Sequence, residues 1–371
     1  MRPALPQNGG DCHNAYGFPK MMKRFFTLAI SLLLGAASWP VLAVVILQYH
    51  HVSNSTPAIT SVTPAQFSEQ MAYLADNNFN VVPLALALDA IKAGKELPAK
   101  SVVITFDDGY ANIAINGHPI LKQYDFPYTV FVNLEPIEQN RRNMMDWDTL
   151  REIAAEGATI ANHSYAHDHL IRRLPGEDQA GWEQRIKQDI ERTEAAIQTE
   201  IGHSLKALAY PYGEYNQALR ALLERMGYVG IGQHSGAAGP YSSLTALPRY
   251  PVAGPYADLD SLKVKMHSLN MPVLAIDGEE SELINRNRPS LTVKLDSTDV
   301  RTNELMCYIQ GQGAKTPTWL DDHTFTIQAD LPLPAGRTRY NCTAPSRSKG
   351  SYYWFSQPWV QANPDGSWPA E

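Results

Sequence analysis

Three cysteines in 371 residues are too few for a disulfide scaffold, and Cys12 falls in a leading stretch, "MRPALPQNGGDCHNAYGFPK", without a pattern that a core could use. Beyond the N-terminal region no segment holds the roughly 20 uninterrupted apolar residues of a membrane-spanning helix, so stable membrane insertion is not expected. Positive charge is in short supply too. There are 31 Lys and Arg against 38 Asp and Glu, a net charge of -7, with no long basic block, which argues against nucleic acid as a partner. Internal repeats and low-complexity tracts are also missing. What remains is a chain that is 44% hydrophobic, enough for a sizeable core and long enough for two domains.

The N-terminus reads as a targeting segment. Lys23 and Arg24 precede "FFTLAISLLLGAAS" and then "WPVLA", with Val41 and Ala43 at the small-residue positions of a cleavage site. Residues 1–43 are therefore expected to be an upstream extension and signal peptide, and the protein to be exported, periplasmic or secreted from a bacterium. The remainder carries 27 basic and 37 acidic residues, a charge of -10. Its two cysteines, Cys307 and Cys342, form an even pair in an exported chain, and one disulfide is expected.

From residue 44 the sequence alternates. "AVVILQYHHV" reads as a buried first strand. The next segment opens with Thr63 as N-cap, Pro64 at the first helical position and Gln66 at the third, and Phe67, Met71 and Leu74 give one apolar face. Further strands are expected at "FNVVPL", "SVVITF", "YTVFVN", "ATIANH", "KALAYPYG" and "YVGIGQ". Helices are expected over about Leu84 to Ala93, after Tyr110, around "WDTLREIAAEG", on the stripe Trp182, Ile186, Ile190, Ile197 and Ile201, and up to Met226. Such β-then-α alternation points to an α/β parallel sheet or barrel over 44–271. Beyond residue 271, alternating runs such as "SLTVKL", "TFTIQADL" and "SYYWFSQPWV" point to a small all-β sandwich over 272–371.

Active sites of parallel α/β folds lie at the carboxyl ends of the strands. Three polar clusters fall there: His50 and His51 after the first strand, Asp107 and Asp108 after "VVITF", and His163 with His167 in "NHSYAH". A His pair four residues apart, within a turn of helix, directs both rings to one point, and two histidines with one carboxylate leave a divalent metal open positions for water and substrate. The second aspartate beside such a metal is suited to accept a proton, and the metal's charge offsets the repulsion between neighbouring carboxylates.

"TFDDGY" followed by "HSYAH" resembles the first two motifs of the polysaccharide deacetylases (carbohydrate esterase family 4, NodB-homology domains). The resemblance implies a distorted (β/α) barrel that removes N-acetyl groups from polymers of N-acetylglucosamine with one divalent metal, zinc first, cobalt or nickel next. By position it makes Asp107 the base and Asp108, His163 and His167 the ligands. "AYPYGEYN" is similar to the third motif, in which Tyr212 gives its backbone N–H to the oxyanion. Ala209 stands there in place of the arginine that steadies the base, and Arg249 in "LPRYPV" is the candidate substitute. For the general acid, Tyr49-His50-His51-Val52 resembles the branch of bacterial poly-β-1,6-N-acetylglucosamine deacetylases, favouring His50 over the later His267. His51 is then expected to point elsewhere.

Rival readings are the same chemistry on peptidoglycan, chitin oligomers or an O-acetylated glycan, and a carbohydrate-binding protein that no longer turns over. His169 is expected to be a solvated neighbour, and the aromatic residues of "YYWF" and Trp359 to be packing residues ahead of sugar contacts.

Overall fold

Uninterrupted runs of branched residues suit strands buried on both faces, and "VVIL" and "VVIT" form such strands side by side. The computed structural model describes residues 43–284 and 287–369. Within it, Val45–Tyr49 (β1), Asn80–Val81 (β2), Ser101–Phe106 (β3), Tyr128–Val132 (β4), Ala158–Asn162 (β5), Ala207–Ala209 (β6), Val229–Ile231 (β7) and Tyr250–Pro251 (β8) make one parallel sheet. Its order is β8-β1-β3-β4-β5-β6-β7, with β2 added alongside β3. The expected α/β parallel sheet is present, as a half-barrel.

Because side chains alternate along a strand, each one feeds two cores. Val45, Leu47, Ile104 and Phe106 pack outward with Phe67, Met71 and Leu74 of the helix Pro64–Asp76. Ile46, Val103, Phe131, Ala161, Ala209 and Leu247 face inward and meet Leu84 and Leu88 of the helix Leu84–Ala93. The first of these helices starts as its sequence dictates. Thr63 accepts from the Gln66 N–H while Gln66 accepts from the Thr63 N–H. Trp182, Ile186, Ile190 and Ile197 are the buried stripe of the long helix Gln179–Ile201.

The helix expected after Tyr110 is broken. A wide π-type turn over Ile113–Gly117 leads into a short α-helix, His118–Lys122. Pro119 at its start has no N–H to continue a regular ladder, which accounts for the interruption.

The C-terminal region is all β, as expected. Leu269–Asn270 (β9), Val273–Asp277 (β10), Ser290–Leu295 (β11), Met306–Ile309 (β12), Gly313–Lys315 (β13), Thr318–Trp319 (β14), Thr324–Gln328 (β15), Gly336–Pro345 (β16) and Tyr352–Gln361 (β17) form two sheets, β9-β17-β16-β12-β13 and β10-β11-β15-β14. They share one core, in which Leu291, Val293 and Phe325 of one sheet meet Ile309, Tyr340 and Trp359 of the other. Trp359 is thus a packing residue. The expected disulfide is present, joining Cys307 and Cys342 directly across β12 and β16.

The expected signal segment lies outside the described residues. No described helix is long and apolar enough to cross a membrane.

A bridge that closes 35 residues restricts the unfolded chain, and its removal is expected to cost about 2–4 kcal/mol. Denaturant unfolding of Cys307→Ala/Cys342→Ala against the parent checks this. An unchanged midpoint would show that the sandwich core alone holds the two strands.

Candidate metal centre and active site

Where each strand leaves the sheet, the inward-facing positions turn from apolar to polar. Ile46 is followed by Gln48 and His50, Val103 by Thr105 and Asp107, Ala161 by His163, and Leu247 by Arg249. The period of two that buries the first residue of each series therefore aims the others at one place.

Asp107 is fully buried there and clamped. Arg249 donates from both terminal nitrogens to its two oxygens, at 2.7 and 2.8 Å, and Gln48 adds a third hydrogen bond at 2.7 Å. Arg249, also fully buried, is itself fixed by donating to the Gly232 carbonyl and to Thr105 Oγ1. Burial alone would push the Asp107 pKa up. The Arg249 charge, then His163, outweigh it and hold the carboxyl below its ordinary range. Arg249 thus does for Asp107 what the residue at Ala209 cannot.

The neighbouring Asp108 leaves the strand with φ 71°, followed by Gly109 at φ 80°. This left-handed pair turns its carboxylate away from Asp107 and toward the two histidines. Asp108 Oδ1 lies 3.3 Å from His163 Nε2 and 3.4 Å from His167 Nε2. All three ligand atoms fall within 4.8 Å of one another, a set that can hold a metal ion. The histidines converge differently from the sequence expectation. Residues 163–167 form no helical turn; an irregular loop brings His167 back beside His163, with Ser164 at φ 71° and His167 at φ 61°. Asn162 secures this loop by accepting the Ser164 N–H.

The donors fit a metal. Asp108 Oδ1 and His163 Nε2 are buried and neither makes a hydrogen bond, a costly arrangement unless a cation satisfies both. His163 Nδ1 lies 2.8 Å from the Ala209 carbonyl, which can only accept, so Nδ1 carries a proton and Nε2 is the nitrogen turned toward Asp108. Burial, helped by repulsion from His163, pushes His167 down to about 4 and keeps its ring neutral at physiological pH. Burial opposes charge on Asp108, but His163 outweighs it and holds the carboxyl well below its usual range.

Tyr212 closes one side. Its φ of 59° places it in a tight turn after β6, with its ring stacked on His169 at 3.9 Å and edge-on to His167 at 4.4 Å. His169 is more than a solvated neighbour, since its Nδ1 also pairs with buried Glu214 at 2.7 Å. His50 lines the cleft of ≈ 480 Å³ that contains Asp108, His167 and Tyr212. His51 points away, stacked on Tyr110 at 3.8 Å and bonded to Asn112. His267 does not reach this site. It ends the helix Leu259–Met266 and packs on Phe79, at the amino end of the sheet.

Gln48 and Glu214 were not anticipated. Gln48 had a signal, as the one polar residue inside an apolar strand. Arg337 and Arg339 of β16 also line the cleft, and no local pattern in an all-β stretch announces that.

Residues 94–231 match the family model described as polysaccharide deacetylase. Among curated proteins, the chain is 24% identical over 349 residues to a poly-β-1,6-N-acetyl-D-glucosamine N-deacetylase of Escherichia coli strain K12, covering 81% of this chain and 51% of that protein. The chain thus spans about half the length of that relative. The Streptococcus pyogenes deacetylase PplD, solved in complex with acetate, aligns with a TM-score of 0.54 at 24% identity over 62% of this chain and 99% of PplD. IcaB from Ammonifex degensii gives 0.54 at 23% over 61% and 98%. At such identities the likeness is one of fold, and the half-barrel is that of these deacetylases.

Removing Arg249 leaves a buried, uncompensated carboxylate. Arg249→Met is expected to destabilise the metal-free protein by about 3–5 kcal/mol at neutral pH. A depressed carboxyl pKa contributes stability above the unfolded value, about 3.9, that is lost as pH falls through the folded one, so the difference should shrink in acid. Denaturant midpoints between pH 7 and pH 3 test this, and a difference independent of pH would assign the loss to packing alone.

Proposed function

From a chain whose residues 94–231 match the polysaccharide deacetylase family model, we propose a metal-dependent hydrolase that removes N-acetyl groups from an N-acetylglucosamine polysaccharide, releasing acetate. The observation that carries this reading is the juxtaposition of the Asp108, His163 and His167 donor set, in which Asp108 Oδ1 and His163 Nε2 are buried without a hydrogen bond, with a clamped Asp107. The E. coli relative's name favours a β-1,6-linked polymer as the first substrate to try.

In this reading Asp108, His163 and His167 hold one divalent ion, zinc first. The ion supplies Lewis-acid polarisation of the acetamide and lowers the pKa of a bound water. Asp107 is placed to take a proton from the water whose oxygen attacks the acetyl carbon, wherever that water is held. Arg249 and Gln48 keep the carboxylate oriented while its charge changes. The Tyr212 backbone N–H donates to the oxygen on which negative charge develops. His50, without a side-chain hydrogen bond among the described residues, hands a proton to the nitrogen as the C–N bond breaks, giving free amine and acetate. His267, far from the cleft, has no part in this scheme.

Residues 44–271 are the catalytic domain in this proposal, 272–371 a β-sandwich domain, and the segment before residue 44 an export signal that would deliver the enzyme to the periplasm or beyond. The polymer there is its partner.

Acetate release from β-1,6- and β-1,4-linked N-acetylglucosamine oligomers, with zinc and with chelator, tests the scheme. Asp107→Asn is expected to lower kcat by about 10²–10⁴-fold while metal stoichiometry stays unchanged. His163→Ala is expected to lose the metal itself. Release that survives either the chelator or Asp107→Asn would overturn the assignment.

A further inference from the structure

The catalytic cleft does not end at the barrel. Arg337, Arg339 and Pro358 of the C-terminal sheet form one of its walls. Pro251, Tyr256 and Arg339 line both that cleft and a second cavity of ≈ 720 Å³, so the two are continuous. The second cavity runs along the outer face of the sheet β17-β16-β12, opposite the face that builds the sandwich core.

Register explains how that face is composed. Tyr308 pairs with Asn341, and Asn341 with Ser356; Thr343 pairs with Trp354, and Pro345 with Tyr352. Directly opposed residues share a face, so Tyr308, Asn341, Thr343, Trp354 and Tyr352 all stand on the outer one. Ser356 and Trp354 anchor it to the barrel, through a hydrogen bond to the Ser235 carbonyl and an edge-on contact with Tyr250 at 5.4 Å. Tyr308 and Tyr352 are not packed away: they are 47% and 49% exposed, and Tyr256 opposite them 53%. Tyrosine offers a flat apolar ring and a polar tip with little conformational freedom to lose, which suits a sugar ring's apolar face and hydroxyl edge.

The charge is one-sided. Two cations, Arg339 and Lys265, line the second cavity and no carboxylate does among the described residues. The half-buried Arg339 guanidinium has no acidic partner there, and Lys265 rests over the Tyr256 ring at 4.9 Å. Resting on the deacetylase reading, we propose that this face is a remote part of the substrate groove, which holds acetylated sugars away from the cut and disfavours those already carrying a free amine. Acetamide carbonyls and hydroxyls accept from Arg339, whereas an ammonium beside it meets like charge in a place poorly screened by water. The product is then a polymer whose free amines are spaced rather than clustered.

The test titrates chelated protein, which cannot turn over, with fully acetylated β-1,6-linked oligomers from dimer to hexamer, and with hexamers carrying glucosamine at defined positions. In parallel, kcat/KM is measured for zinc-loaded protein on the same acetylated series. Affinity and kcat/KM are expected to rise with length, and Tyr308→Ala/Tyr352→Ala to cut the hexamer-to-dimer ratio by about ten-fold, or ~1.4 kcal/mol. Arg339→Gln is expected to weaken discrimination against glucosamine-containing hexamers. Unchanged melting of these variants excludes misfolding. Acetate release with length-independent affinity, or a hexamer preference that survives the double tyrosine variant, would overturn the groove while leaving the deacetylase reading intact. Length-dependent binding without acetate release from any oligomer would support the groove and sink the deacetylase reading. Absence of both would overturn the two together.

Discussion

Three adjacent strands of the sheet meet at one carboxylate. Asp107 follows β3, Gln48 comes from β1 and Arg249 immediately precedes β8 on the far side of β1, so the hydrogen bonds on Asp107 tie the carboxyl ends of β1 and β3 to the start of β8. An ionised carboxylate with no solvent exposure is tolerable only because two guanidinium nitrogens and an amide replace its water. Everything nearby depends on that compensation. It fixes where the chain leaves β3, and hence where Asp108 can turn. It also keeps a negative charge beside His163, whose other nitrogen is held by the Ala209 carbonyl.

The loops above the sheet are strained where they carry the candidate site. Asp108, Ser164, His167 and Tyr212 all adopt positive φ, each a conformation that costs about 1–3 kcal/mol for a residue with a side chain. Strain concentrated at the ends of buried strands is stable because the strands beneath it are over-determined by two cores. The arrangement brings two histidines and a carboxylate to a point that no regular helix or strand of this chain would reach.

The C-terminal sheet changes what this centre faces. Carrying -7 overall, the chain places Arg337, Arg339 and Lys265 along the cleft and its extension. Arg337 is answered by Glu214, which also holds His169 and, through it, the ring of Tyr212. A side chain from the last hundred residues is thereby coupled to the turn beside the candidate metal donors, and the two regions share a cleft although each has its own hydrophobic core.

Local chemistry made much of this legible. Branched runs and a period of two predict the parallel strands, Thr63-Pro64-Gln66 predicts a capping box, and the pairing of two cysteines follows from there being only two after residue 43. "DDG" and "HSYAH" at strand ends point to the candidate metal donors: alternation directs Asp107 and His163 inward, and left-handed turns bring Asp108 and His167 beside them. Other details escaped, among them that the histidine pair uses a left-handed loop instead of a helical turn, and that His267 lies at the wrong end of the sheet, which one-dimensional order does not encode. The sequence by itself determined which residues could carry charge, ligate and pack, since those are properties of side chains and their spacing. Only the tertiary structure decided that Arg249, 142 residues from Asp107, would be its partner, and that an arginine on a distant strand would face the same cleft. Both depend on which strands become neighbours, and that is set by the joint burial of many apolar faces rather than by any local motif.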